Sequence, residues 1–137
     1  MGDNNLMPPE AAHSVLIVDD SENAAVMLEI ALGEIPGVSV QLATSAADAL
    51  RILTGGGPAV QVIVTDLNMP RMDGFELIRR VRQDARHCAT PIIVVSADTD
   101  PATPQRIAEL GVSAYFPKPF SPAQVRRKLE QLLNGRS

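Results

Sequence analysis

Four apolar runs in this 137-residue chain each end on a side chain that can carry charge or donate a proton. Residues 14–18 run into Asp19-Asp20, residues 60–65 into Asp66, residues 91–96 finish on Ser96, and residues 114–117 lead to Lys118. Brought together, these make three carboxylates, one hydroxyl and one ammonium. Clustered carboxylates repel, so they either take up protons or hold a cation. No histidine or cysteine stands beside them in sequence, and all-oxygen ligation favours a hard ion such as Mg²⁺ over zinc. Mg²⁺ keeps several waters and shares phosphate oxygens with its ligand, so such a site suits a phosphoryl group. Lys118 adds a compact positive charge for a phosphate oxygen. It is one of two lysines against ten arginines, which sets it apart from ordinary surface filler. Ser96 can donate to another phosphoryl oxygen. A carboxylate attacking phosphorus would form an acyl phosphate, with positioning and charge neutralisation carrying most of the rate effect.

Any one of these acids alone is better read as a cap on the next helix, and Ser21 already caps one without Asp20. Several together, each at the end of a strand, are poorly explained by capping. The chemistry therefore depends on the elements that position them.

Five segments read as strands: 14–18, 38–43, 60–65, 91–96 and 114–117. The first is a continuous β-branched run, typical of a strand buried on both faces in a parallel sheet. Pro91 can stand at the first residue of its strand. Helical patterns lie between. Over 22–35, Ser21 is the N-cap and Ala24, Met27, Leu28, Ala31, Leu32 and Ile35 form an apolar stripe. A second helix over 46–53 stops at Gly55-Gly56-Gly57-Pro58. In the third, Leu77, Ile78 and Val81 face inward and Arg79, Arg80 and Arg82 outward. The fourth spans about 104–110 and ends at Gly111. The fifth is capped by Ser121, has Pro122 in its first turn, and buries Val125, Leu129, Leu132 and Leu133. Five strands alternating with five helices predict an α/β fold with parallel strands joined by right-handed crossovers. In such sheets ligands gather outside the carboxyl ends of the strands.

Length allows one domain. A net charge of −4, with 16 acidic and 12 basic residues, gives no electrostatic case for direct nucleic-acid binding. No apolar run reaches the ~18 residues of a membrane span. The single cysteine, Cys88, excludes an internal disulfide and suits a reducing, cytoplasmic setting. Residues 1–13 read as a disordered polar leader without the apolar core of a signal peptide. Residues 14–133 read as the domain, and 134–137 as a polar tail with a helix stop and a candidate cloning scar.

The chain resembles the receiver domain of two-component response regulators, in particular the single-domain chemotaxis type. Val15-Leu-Ile-Val-Asp19-Asp20 is similar to the family's first-strand acid pair. Thr65-Asp66-Leu-Asn68-Met-Pro70-Arg-Met-Asp73-Gly74 resembles its phosphoacceptor loop. Ser96-Ala97 resembles its switch hydroxyl and following small residue, and Tyr115-Phe-Pro-Lys118-Pro119-Phe120 its aromatic switch and lysine–proline pair. These motifs span about 14–133 in the family's order.

The resemblance implies a doubly wound, flavodoxin-like (βα)5 sheet in the order 2-1-3-4-5. It implies that Asp66 is the phosphoacceptor and that Lys118 bridges to the phosphoryl oxygens. Mg²⁺ would be held by Asp20, Asp66 and the backbone carbonyl of Asn68, with Asp19 acting through water. The Lys118–Pro119 bond would be cis, and Gly74 would serve the turn into the third helix. Ser96 and Tyr115 would be the switch pair. The implied partners are a sensor histidine kinase or histidine phosphotransfer protein, docking along the first helix near Met27 and Leu28. A downstream protein target or fused output domain would read the fourth helix, fifth strand and fifth helix, which could also carry a homodimer.

A phosphatase of the haloacid-dehalogenase type is the rival enzyme class. It needs a general acid two residues after its aspartate, where Asn68 stands, and has no use for Asp19-Asp20 on another strand. A degenerate receiver that binds partners without phosphorylation sits poorly with the full set of five residues. Asp73 reads as a turn residue, and His13 and His87 as bystanders. Pro101 and Pro104 stand where the fourth helix should begin, predicting a late or short start.

Overall fold

The computed structural model describes residues 13–135. The expected leader before His13, and Arg136-Ser137 of the expected tail, lie outside the described residues. The elements alternate as β1 (His13–Val18), α1 (Glu22–Gly33), β2 (Val38–Ala43), α2 (Ala46–Thr54), β3 (Val62–Thr65), α3 (Gly74–Gln83), β4 (Ile92–Ser96), α4 (Thr103–Glu109), β5 (Ala114–Pro117) and α5 (Pro122–Leu133). All strand pairs are parallel, in the order β2-β1-β3-β4-β5, as expected.

Alternation along each central strand divides the core into two layers. Leu16, Val18, Ile63, Ile92 and Val94 face α2, α3 and α4, packing on Leu53, Ile78, Val81 and Ile107. Val15, Ile17, Val62, Val64, Ile93 and Val95 face α1 and α5, meeting Leu28, Leu32, Val125 and Leu129. These residues of the central strands are at most 1% exposed, which is why they read as unbroken apolar runs. Each large side chain buried this completely contributes about 1.5–3 kcal/mol.

Helix starts follow their caps. Ser21, Ser45, Asp73 and Ser121 each accept the N–H three residues on. Asp73, expected as a turn residue, is thus the α3 cap. The α5 stop falls at Asn134, followed by Gly135 at φ 77°.

Several details differ from the sequence reading. β1 begins at His13, which pairs with Val38 and bonds Gln61 through Nδ1 at 2.7 Å, so His13 is a strand residue and not part of the leader. β3 begins at Val62 and β4 at Ile92, each later than expected. On α1 the buried set is Ala25, Leu28 and Leu32. Met27 is 48% exposed because it lies about 100° around the helix from Leu28. Arg82 is half-buried rather than turned fully outward. Its guanidinium donates to the carbonyls of Leu110 (2.8 Å), Gly111 (3.1 Å), Thr90 (2.8 Å), Cys88 (3.3 Å) and His87 (3.4 Å), tying the α3–β4 loop to the α4–β5 turn. His87 is buried, with its Nδ1 3.5 Å from the Asp84 carboxylate and unbonded. It belongs to the core beneath that loop.

Candidate functional site

Backbone ladders run one step past the strands and seat the polar residues. Asp19 N–H donates to the Ala43 carbonyl (3.0 Å), Asp66 N–H to Val18 (2.9 Å) and Lys118 N–H to Ser96 (2.9 Å). The residues that follow β1, β3 and β5 are therefore held by neighbouring strands rather than by free loops. This brings carboxylate oxygens of Asp19, Asp20 and Asp66 within 4.8 Å of one another. Asp19 and Asp66 are buried, and Asp20 is open to solvent.

Lys118 reaches into this cluster. Its Nζ lies 2.9 Å from Asp19 Oδ2 and 3.3 Å from Asp66 Oδ2. Burial would pull the ammonium pKa down, but the hydrogen bond to Asp19 and the charges of Asp66 and Asp19 outweigh it, leaving the pKa raised. Asp19 is pushed above the usual carboxylate range by burial, against the opposing pull of Lys118 and the Ser21 N–H. Its Oδ1 accepts that N–H at 2.8 Å. Asp66 Oδ1 accepts from Leu67 N–H (2.7 Å) and Asn68 N–H (3.3 Å). Buried carboxylates satisfied in this way are fixed in place, which a reacting group requires.

The loop after β3 is rigid for specific reasons. Leu67 and Met69 are buried in the core. Arg71 takes the left-handed conformation at φ 71°. Gly74 N–H donates to the Leu67 carbonyl at 2.8 Å and closes the loop. A methyl on Gly74 would meet the Asp66 carbonyl oxygen at 2.2 Å. Close approach to Asp66, rather than a special turn angle, is what requires glycine here.

Ser96 is fully buried, and its Oγ accepts the Asp98 N–H at 3.2 Å. Its proton stays free to donate. Tyr115 is half-buried against the α2–α3–α4 layer, and its hydroxyl donates to the Asp98 carbonyl at 3.2 Å. The Lys118–Pro119 bond is cis, as the resemblance implied.

α4 is seven residues long, as the two prolines suggested. Its N-cap, Ala102, makes no side-chain bond. The preceding loop is held by acids instead: Asp98 Oδ1 accepts from Asp100 N–H and Thr103 Oγ1, and Asp100 Oδ1 accepts from Ala102 N–H. Neither Asp98 nor Arg82 stood out in the sequence. For Asp98 the available signal was an acid two residues past Ser96 in Asp98-Thr-Asp-Pro101, which reads as a self-bonding turn. On the expected kinase-docking face, Leu28 is core and not surface, whereas Val26, Met27 and Ile30 are exposed.

The donor chemistry fits a hard divalent cation: three carboxylates, no sulfur or imidazole, with the Lys118 ammonium beside two of them. Among the described residues no helix is long and apolar enough to cross a membrane.

Residues 15–130 match the profile of the response regulator receiver domain. A chemotaxis protein CheY homolog of Campylobacter jejuni is 34% identical over 119 residues, covering 87% of this chain and 91% of that protein. The chemotaxis protein CheY1 of Helicobacter pylori is 32% identical over 119 residues, covering 87% and 95%. Among solved structures, the chemotaxis response regulator CheY4 of Vibrio cholerae superposes with a TM-score of 0.78 at 31% identity, covering 88% of this chain and 98% of that one.

Proposed function

We propose that this chain, which belongs to the response regulator receiver family of two-component signalling, is switched by phosphorylation of Asp66. The observation that carries the reading is the convergence of three carboxylates and Lys118 at the carboxyl edge of the sheet. Receiver domains are signalling proteins and not turnover enzymes. The chemistry they perform is on themselves.

Asp20, Asp66 and the Asn68 carbonyl would hold Mg²⁺, with Asp19 acting through water. When bound, the ion neutralises charge on phosphoryl oxygens. The rest falls to the chain's own residues. The backbone N–H groups of Leu67 and Asn68 hold the Asp66 carboxylate in one rotamer. An Asp66 oxygen attacks the donor's phosphorus, the bond to the donor's leaving atom breaks, and the donor departs with that electron pair. Lys118, already between Asp19 and Asp66, meets an equatorial phosphoryl oxygen. Ser96 donates its free proton to another.

The product carries about two negative charges beside Lys118, where the free Asp66 carboxylate carried one. Ser96 is drawn toward them, and Tyr115 responds through the space beside it. The phosphodonor is a sensor histidine kinase or histidine phosphotransfer protein, meeting the exposed apolar side chains of α1. The reader is a downstream protein or fused output domain on α4, β5 and α5, a surface that could equally pair two copies. The chain then acts in the cytoplasm.

The test is mass spectrometry after incubation with acetyl phosphate and Mg²⁺. One phosphoryl mass is expected, absent with a chelator and absent in Asp66→Asn. Labelling that survives both would overturn the assignment.

A further inference from the structure

We propose that Asp98 is a positioning residue that carries the movement of Ser96 to the first turn of α4. The proposal rests on the reading of Asp66 and Ser96 as a phosphorylation switch, and adds a second output arm beside Tyr115.

Asp98 stands at a junction of four hydrogen bonds. Its N–H donates to Ser96 Oγ at 3.2 Å, and its carbonyl accepts from the Tyr115 hydroxyl at 3.2 Å. Its carboxylate Oδ1 accepts from Asp100 N–H at 2.7 Å and from Thr103 Oγ1 at 3.1 Å. Thr103 is the first residue of α4 and is fully buried, so its hydroxyl has no water to turn to. A single residue therefore touches the switch hydroxyl, the aromatic partner and the start of the helix.

The two ends of α4 are held differently. The end at Leu110 and Gly111 is gripped by the Arg82 guanidinium, itself bonded to the α3–β4 loop. The beginning has no side-chain cap at Ala102 and carries Pro104 in its first turn. What ties it to the sheet is the Asp98–Thr103 bond and the loop that Asp98 organises. A displacement of Ser96 acts on Asp98 through the N–H bond, and Asp98 draws on Thr103. With the far end fixed, the helix pivots about Leu110. The lever is short, about 10 Å for seven residues at 1.5 Å each.

The proton inventory is consistent with this. Ser96 Oγ accepts from Asp98 while keeping its own proton for a phosphoryl oxygen. The link need not break for Ser96 to engage. Asp98 moves with it.

The experiment follows amide resonances of ¹⁵N-labelled full chain as beryllofluoride, a phosphoryl mimic, is added with Mg²⁺. In wild type, shifts are expected at Ser96, Tyr115 and the first turn of α4 together. In Asp98→Ala and Thr103→Val the Ser96 and Tyr115 shifts should remain, and the α4 first-turn shifts should be lost. Asp98→Asn keeps an Oδ1 acceptor for both donors and should behave as wild type. The apo spectra report whether each variant is folded. α4 shifts that persist in both Asp98→Ala and Thr103→Val overturn the relay and leave the switch standing. A wild-type spectrum unmoved around Asp66 overturns the switch and the relay with it.

Discussion

Replacing Gly74 with alanine tests whether the proposed phosphoacceptor loop is as closely built as its geometry says. The new methyl would sit 2.2 Å from the Asp66 carbonyl oxygen and 2.7 Å from the Leu67 Cα. Comfortable contacts lie near about 3.5 Å, so the main chain must give by roughly 1 Å. Both obstacles are backbone atoms of a loop pinned by buried Leu67 and Met69, so no rotamer change relieves them. Overpacking of this kind costs about 1–3 kcal/mol. The opposing gain from exchanging glycine for alanine in a helix is at most about 1 kcal/mol, and position 74 lies in the first turn. The clash wins, leaving a net loss of about 1–2 kcal/mol in a domain stable by about 5–15 kcal/mol. The protein still folds, but Asp66 is displaced. A misplacement of about 1 Å at a reacting group costs on the order of 100-fold in rate. Urea unfolding and the initial rate of acetyl phosphate labelling measure the two effects separately. A Gly74→Ala protein labelled at the wild-type rate with an unchanged midpoint would refute the reasoning.

Arg82→Met removes a half-buried cation that bonds five carbonyls, and should cost about 1–3 kcal/mol in urea unfolding. Faster hydrogen exchange at residues 110–113 should accompany it, and an unchanged midpoint would contradict the clamp. Tyr115 is the only tyrosine in a chain without tryptophan, so alkaline absorbance reports on it alone. Burial, then the Asp98 charge, raises its pKa above the ordinary value of about 10. A raised acid contributes stability that is present below the unfolded pKa and lost as pH climbs through the folded one. The absorbance midpoint should therefore fall above that of an unfolded control in urea, and a midpoint equal to the control would contradict the half-buried setting of Tyr115.

Much of this was legible because the signals were local and strong. The unbroken apolar runs of β1 and β4 marked a parallel sheet, and Ser21 and Ser121 marked the helix starts they cap. The placement of Asp19, Asp20, Asp66, Ser96 and Lys118 was legible because each ends or follows a strand, and parallel strands deliver their ends to one edge. Side-chain partners across the fold were not. Arg82 sits on α3 just past the exposed Arg79 and Arg80, and only the arrival of the 84–91 loop and the α4–β5 turn gives it carbonyls to bond. Met27 and Leu28 are adjacent in sequence, yet a 100° step on the helix puts one in solvent and the other in the core. Gly74 looked like a turn glycine because glycine frees φ, but its reason is the nearness of Asp66, a distance that no local pattern encodes.

The most direct measurement of the central assignment is chemical. An aspartyl phosphate is reduced by borohydride to homoserine, whereas an unmodified carboxylate is not. After acetyl phosphate and Mg²⁺, borohydride treatment and tandem mass spectrometry should place homoserine at position 66 alone. Homoserine at Asp19, Asp20 or another acid, with Asp66 intact, would contradict the site as described.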